Sequence, residues 1–397
     1  MNRKIEIKDT LRTSMILTSL SSGVMAFLLP IYSKNLNMNA IEITGLFSII
    51  SLILIVMRPF IGRLIDKIGR RPIFISSIIT YALSCGIFAI ADSTLTIYIA
   101  RSIQGIATAL MTISIYAIVS DTTKEGEISE GFGKINAGKS TGNIYGCILA
   151  FVILSKTKFT EGWKILFLIF CIAALYALLI VIKDFKETKN KVMNKDYKRQ
   201  KLSKRTINLL IIVFITSLSS SMLAPIFMIY MQDKFTNNIS VLGFAFFPAL
   251  IIESLLSRKI GRYSDEIGKR KSMLIGIVIC GVITILTPSF ESIIMLSVLW
   301  CISSIGGILY GLSETGMYAE LTDESSKGEM YGVYTLVCDF GGLIGPLIGG
   351  LAYEIVSNKS PFYINGITMF IVALLIKGTL IKGNINNSER NQKINER

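Results

Sequence analysis

Six side chains that carry charge at neutral pH, Arg58, Arg101, Lys139, Glu253, Glu314 and Asp339, stand inside long apolar stretches of this chain. A lone charge in hydrocarbon is expensive, so each must face water, find a partner or perform a task that depends on its charge. The chemistry open to them is narrowed by what the chain lacks. It has no histidine, which removes imidazole proton shuttles, Ser-His-Asp triads and histidine-based metal sites together. The six cysteines (Cys85, Cys147, Cys171, Cys280, Cys301, Cys338) are dispersed and form no CxxC pair. Inside apolar stretches they read as small buried hydrophobes, so neither a disulfide nor a metal site is expected, and no cofactor is implied. What remains for the six charges is ion pairing and, for the carboxylates, reversible proton binding.

The elements that must hold these groups follow from hydropathy. Of 397 residues 51% are hydrophobic and 17% charged, and the mean hydropathy of +0.58 is that of a membrane protein. Twelve apolar segments approach the ~20 residues that a helix needs to cross a bilayer, near 13–33, 41–61, 73–91, 95–120, 133–155, 163–182, 207–230, 240–257, 273–290, 293–319, 332–355 and 361–380. The first has no small-residue cleavage site after it and is read as a helix, not a signal peptide. The net charge of +14 could suggest nucleic acid, but apolar runs of this length exclude a soluble nucleic-acid binder.

Charge placement sets orientation instead. Six basic residues (Lys34, Lys156, Lys158, Lys164, Lys234, Lys359) fall on one side, three lie inside spans, and the other 32 fall on the side that also holds both termini. The positive-inside rule makes that side cytoplasmic. The one long polar interruption, Lys183 to Arg205, carries ten Lys/Arg against three acids. It divides the chain into residues 1–182, a basic linker 183–206 and residues 207–397, each half carrying six spans.

The halves are copies. At an offset of 199, Gly62, Arg63, Asp66, Gly69 and Arg71 fall on Gly261, Arg262, Asp265, Gly268 and Arg270. Asp121, Glu130, Phe132, Gly133, Gly142 and Gly146 likewise fall on Glu320, Glu329, Tyr331, Gly332, Gly341 and Gly345. At an offset of 198, the TSLSS of Thr18 to Ser22 repeats at Thr216 to Ser220. Chance similarity between isoleucine-rich helices would match apolar positions, not Gly, Asp and Ser together. Parallel six-helix repeats are a construction of secondary transporters.

Between segments 2 and 3 the chain reads GRLIDKIGRRP, Gly62 to Pro72. This resembles the signature loop of the major facilitator superfamily, G-x-L-x-D-x-x-G-R-[RK], and GRYSDEIGKRK, Gly261 to Lys271, lies where that family keeps its second copy. The resemblance implies an all-α membrane fold of twelve helices in two pseudo-symmetric bundles. It also implies that Asp66 faces the positive end of helix 11 while Arg70 pairs with Asp121, making Gly62, Asp66, Gly69, Arg70, Arg71, Asp121, Gly261, Asp265 and Gly268 a conformational-switch set.

Further residues follow the same resemblance. Arg101, Gln104 and Gly105 resemble the R-x-x-Q-G-x-x-A element of many proton-coupled members, with Ala107 one position before the place of its alanine. Trp300 occupies the equivalent of the Arg101 slot and is expected as an aromatic wall. Gly341, Gly345, Pro346, Gly349 and Gly350 fit GxxxGPxxGG, an element that antiporters of the family usually carry in helix 5; here helix 5 keeps only Gly138, Gly142 and Gly146, with Cys147 in place of proline. The displacement weakens a direct reading of antiport and leaves close helix packing as the physical role of these small residues. The family's helix neighbours would bring Arg58 to Asp339 and Lys139 to Glu253 as cytoplasmic gates. Glu314, opposite Ile115 in the first half, is the leading proton carrier, with Asp339 and Arg101 as further coupling residues. Ser22, Gln104, Ser220 and Trp300 are cavity candidates.

The expected activity is proton-coupled efflux of a drug-like compound or metabolite by alternating access. The expected carrier is a monomer in the cytoplasmic membrane of a bacterium, with small-molecule substrate, protons and the lipid bilayer as its partners. Proton-coupled nutrient uptake uses the same fold and stays open as the alternative. A membrane-embedded enzyme is disfavoured, because the short outer loops hold no polar catalytic cluster, and a channel is disfavoured by the duplication.

Overall fold

The computed structural model describes residues 2–122, 128–188, 202–236, 239–322 and 327–381, and all regular structure among them is helical. A chain this apolar must satisfy its backbone N–H and C=O groups internally where lipid replaces water, and the α-helix does so within one segment. In chain order the helices are α1 (Asn2–Thr18, continued by Leu20–Asn35), α2 (Ala40–Ile68), α3 (Arg70–Ile90), α4 (Thr94–Thr122), α5 (Ile128–Leu154), α6 (Phe159–Asp184), α7 (Lys204–Lys234), α8 (Ile239–Ile267), α9 (Lys269–Leu286), α10 (Ile293–Glu320), α11 (Lys327–Leu351) and α12 (Ser360–Leu375). This is the twelve-helix fold expected, with helices that overrun the apolar segments because charged turns at the membrane surface extend them at little cost.

Eleven helical segments are long and apolar enough among the described residues to span a bilayer. The remaining helix, α8, has the length at 29 residues but is not among the eleven, and it carries Glu253 in its interior. The first segment differs from the continuous helix expected: it breaks at Ser19. Upstream of the break, Ser14 and Thr18 turn their hydroxyls onto the carbonyls of Leu11 and Ser14, both at 2.8 Å, a back-bonding that bends helices.

The chain forms two compact units, Met1–Asn194 and Lys195–Arg397, dividing within the stretch read as a linker; residues 189–201 of that stretch lie outside the described residues. Each unit repeats one packing plan. In the first, α4 lies against α2 and α3, α6 against α1 and α3, and α5 against α1; in the second, α10 lies against α8 and α9, α12 against α7 and α9, and α11 against α7. The duplication seen in sequence is thus a duplication of contacts.

The tightest of these contacts are made where side chains are absent. A methyl group added at Gly142 or Gly146 of α5 would run into the Ile16 or Leu20 carbonyl of α1, and one at Gly138 would meet Arg12 at 3.2 Å. In the second unit a methyl at Gly341 would lie 2.6 Å from the Leu218 nitrogen of α7, while Gly345 meets the Leu218 carbonyl and Gly349 that of Met222. Pro346 is buried in the same helix. With no hydrophobic drive between helices in lipid, such backbone-to-backbone approach supplies the dispersion contact that holds them. Elsewhere in the units large aromatic side chains make the packing contacts instead. Buried Trp163 stacks on Tyr32 at 4.0 Å and donates to the Phe88 carbonyl at 2.8 Å, and in the second unit Phe227 stacks on Trp300 at 4.2 Å.

Replacing Gly345 by leucine is expected to destabilise the second unit by roughly 1–3 kcal/mol, the usual cost of overpacking. The same change at Gly62, which has open space around it, is expected to cost far less. Thermal unfolding of the purified full chain in one detergent compares the two.

Candidate functional site

Three groups of polar side chains stand out in the two units. The first is the signature loop between α2 and α3. Gly69 reverses the chain there with φ of +110°, a left-handed geometry that suits glycine, and Gly268 does the same in the second copy with φ of +90°. Immediately after the turn, Arg70 folds back: its Nε donates to Asp121 Oδ2 at 2.8 Å, and its Nη1 lies 3.6 Å from Asp66 Oδ1. The Arg70 and Asp121 side chains are only 15% exposed, whereas Asp66 is 74% exposed. Arg71 donates to the Ile182 carbonyl near the end of α6 at 2.8 Å.

One partner in this loop left no trace in the sequence reading. The Glu187 carboxylate, from the chain just beyond α6, accepts from the backbone nitrogens of Arg70 and Arg71 at 2.9 and 3.1 Å. These are orphan N–H groups at the positive end of α3, so a carboxylate there satisfies hydrogen bonds and the helix dipole together. The second unit repeats the ion pair with changed residues. Lys269 Nζ lies 2.6 Å from Glu320 Oε1, at the positions equivalent to Arg70 and Asp121, while Asp265 is exposed.

The second group surrounds Arg101 on α4, which is buried with 7% exposure. Its Nε donates to the Leu46 carbonyl at 3.0 Å, its Nη1 to Gln104 Oε1 at 2.7 Å, and its guanidinium sits 5.0 Å from the Phe47 ring centre. Among the described residues no carboxylate lies within ion-pair distance of it. The cation is held by a carbonyl, an amide and an aromatic face, which suits a guanidinium taken from water.

The third group is the mirror case. Glu314 on α10 is 6% exposed and its hydrogen bonds are to hydroxyls: Tyr334 of α11 donates to Oε1 at 2.6 Å and Thr216 of α7 lies 3.3 Å from Oε2. No Lys or Arg among the described residues is within ion-pair distance.

The gate residues belong to different units, Arg58 and Lys139 to the first, Glu253 and Asp339 to the second. Within their own units Arg58 and Asp339 are half-buried, while Lys139 and Glu253 are exposed. Ser22 and Ser220 are exposed at equivalent places on α1 and α7, each beside a serine that is buried against its own unit, Ser21 on Tyr81 and Ser219 on Asn365. Gln104 is committed to Arg101, and Trp300 is half-buried against Phe227.

Two equivalent six-helix units, charge-locked loops at matching ends and isolated buried charges inside define a secondary transporter of the two-repeat kind. Comparison with known proteins agrees. The sequence profile of the Major Facilitator Superfamily matches residues 13–207 and 209–393, and the chain belongs to that family. It is 22% identical over 358 residues to the class B tetracycline resistance protein of Escherichia coli, covering 85% of each chain. It is 20% identical to Multidrug resistance protein 2 of Bacillus subtilis, covering 94% of each. It is 23% identical to the quinolone resistance protein NorA of Staphylococcus aureus, covering 91% of this chain and 93% of that one. Among solved structures, a peptide transporter matches with a TM-score of 0.76 at 12% identity over 94% of each chain, a likeness of fold.

If the ion pair fastens the loop, Arg70→Ala and Asp121→Ala are expected to be non-additive. The double mutant should lose about 1–2 kcal/mol less unfolding stability than the two single losses together. Additive losses in a melting experiment would show that the two side chains act separately.

Proposed function

We propose that this chain is a proton-coupled exporter of small, partly apolar molecules in the cytoplasmic membrane of a bacterium, working as a monomer with both termini in the cytoplasm. The observation that carries the reading is Glu314: a carboxylate buried in the second unit whose hydrogen-bond partners are hydroxyls. Hydroxyls can serve either charge state of a carboxyl group, whereas a fixed cation favours one, so this group is suited to bind and release a proton. Relatives that are tetracycline, quinolone and multidrug resistance proteins support export as the direction.

In this reading Asp339 and Arg101 assist proton coupling, and Arg58 with Asp339 and Lys139 with Glu253 are gates between the halves. The signature loops, with Asp66, Arg70 and Asp121, govern exchange between the two access states. Ser22, Ser220, Gln104 and Trp300 contribute to substrate contact.

The test uses purified full chain in liposomes, with tetracycline and a fluoroquinolone as probes under an imposed pH gradient. Antiport is expected: probe moves against the proton flow, and Glu314→Gln abolishes gradient-driven accumulation while leaving energy-independent exchange of probe. Accumulation in the same direction as proton flow would establish symport and overturn export. Unchanged coupling in Glu314→Gln would move the proton site to Asp339. For the gates, Arg58→Asp and Asp339→Arg are each expected to impair exchange and to recover part of it when combined, and Lys139→Glu with Glu253→Lys should behave alike.

A further inference from the structure

The duplication supplies an internal control for the surroundings of Glu314. At the offsets that relate the halves, Thr216, Tyr310, Glu314 and Tyr334 of the second unit correspond to Thr18, Met111, Ile115 and Ile135 of the first. In the first unit that set is apolar: Ile115 and Ile135 are buried in one core cluster with Met111 packed against it, and Thr18 turns its hydroxyl to the Ser14 carbonyl at 2.8 Å. In the second unit the carboxylate arrives together with two phenols. Methionine and isoleucine show that the packing itself needs no hydroxyl at positions 310 and 334.

Distances separate the three hydroxyls. Thr216 has one proton and several acceptors, the Ile212 and Val213 carbonyls at 3.0 and 3.1 Å and the carboxylate at 3.3 Å. Tyr310 directs its hydroxyl to Thr216 at 3.3 Å. Tyr334 directs its hydroxyl at Glu314 Oε1, and its 2.6 Å separation lies in the range of a phenol donating to a charged oxygen.

The location of that bond gives it leverage. Helix α11 is seated along α7 by the Gly341, Gly345 and Gly349 stripe, but α10 and α11 share no comparable backbone contact. They are bridged by long side chains, Tyr334 to Glu314 and Tyr318, whose hydroxyl donates to the Met330 carbonyl at 2.7 Å. The Tyr334 ring also lies 5.0 Å from that of Tyr318 and 5.9 Å from that of Tyr331, so ring packing at 334 does not depend on its hydroxyl.

Resting on the reading of Glu314 as the proton site, we propose that Tyr334 is the positioning residue that converts the charge of Glu314 into the spacing of α10 and α11. While the carboxylate is ionised, the Tyr334 hydroxyl donates to it and ties the helices. When a hydronium ion delivers its proton to Oε1, water is released, that oxygen becomes a neutral O–H, and Tyr334 keeps its own proton and exchanges a charge-assisted hydrogen bond for a weaker neutral one. The tie is then weakened. The titratable groups facing Glu314 are Tyr310 on its own helix and Tyr334 and Cys338 on α11; α7 brings Thr216, and no Lys or Arg among the described residues faces it.

Hydrogen–deuterium exchange of the full chain in lipid nanodiscs tests this without any substrate. Backbone protection of residues 330–340 is compared at about pH 5.5 and about pH 8.5, corrected for intrinsic exchange, a window that spans the range over which a buried carboxyl group can change charge. Wild type is expected to be about 3- to 10-fold better protected at the higher pH, the scale by which a charge-assisted hydrogen bond exceeds a neutral one. Tyr334→Phe keeps the ring and removes only the hydroxyl, and it should abolish the pH difference, as should Glu314→Gln. Tyr334→Ile, the residue the first unit carries there, is a second removal of the hydroxyl should the phenylalanine variant fail to purify. A pH response that survives in the Tyr334 variants but not in Glu314→Gln overturns the role of Tyr334 and leaves the proton site standing. A response that survives in Glu314→Gln overturns both, and a flat wild type overturns the tie.

Discussion

The cost of holding charge away from water is the constraint on which the rest of this molecule depends. It explains why most basic residues lie in loops, and why the charges that remain inside the helices are few. It also sorts those few by their partners. Where the chain turns between α2 and α3, Arg70 meets Asp121 and Asp66, with Glu187 closing the end of α3. Deeper in, Arg101 and Glu314 have no countercharge within ion-pair distance among the described residues, and their neighbours are neutral dipoles. A buried charge with neutral partners is costly, so its persistence argues for use.

Duplication lets the two units be read against each other. The frame is common to both: glycines hold α5 on α1 and α11 on α7, and a left-handed glycine turns each signature loop. What differs is the cargo of polar groups placed on that frame. Arg101 corresponds in the second half to Trp300, Glu314 corresponds in the first to Ile115, and the Arg70–Asp121 pair becomes Lys269–Glu320. Lysine can reach a carboxylate but cannot span two of them with a rigid fork.

Local pattern and internal repetition were legible in sequence; contacts across long separations were legible only in part. The spans, the basic linker and the glycine stripes rest on hydropathy and spacing, which survive without a structure. The meeting of Arg70 with Asp121 came through a family resemblance, since the two stand 51 positions apart in the chain. Glu187 was missed for a physical reason: a carboxylate that caps backbone N–H groups 116 and 117 residues away needs no particular residue type opposite it, and so leaves no pairwise signature. The kink at Ser19 was hidden because the same TSLSS runs unbroken in α7. Tyr310 and Tyr334 were within reach. Identical residues in the two halves mark the shared frame, but the informative positions are those where Met111 and Ile135 correspond to tyrosines.

Both kinds of charged group can be understood as parts of one device once the acceptor chemistry is considered. A carboxylate paired with a guanidinium at the membrane surface is a structural tie whose strength depends on geometry, because arginine remains charged under all ordinary conditions. Such a tie breaks when helices move, and it resists their movement. A carboxylate surrounded by hydroxyls is a tie whose strength depends on the proton, because the partner stays while the acceptor changes character. A carrier that exchanges one access state for another needs both properties: resistance, so that a state persists long enough to load, and a chemical event that alters the resistance. In the proposed reading, Arg70 and Asp121 at the loop and Glu314 and Tyr334 inside the second unit divide these two requirements between sites of different burial, and the proton acts where a single hydrogen bond has its greatest weight.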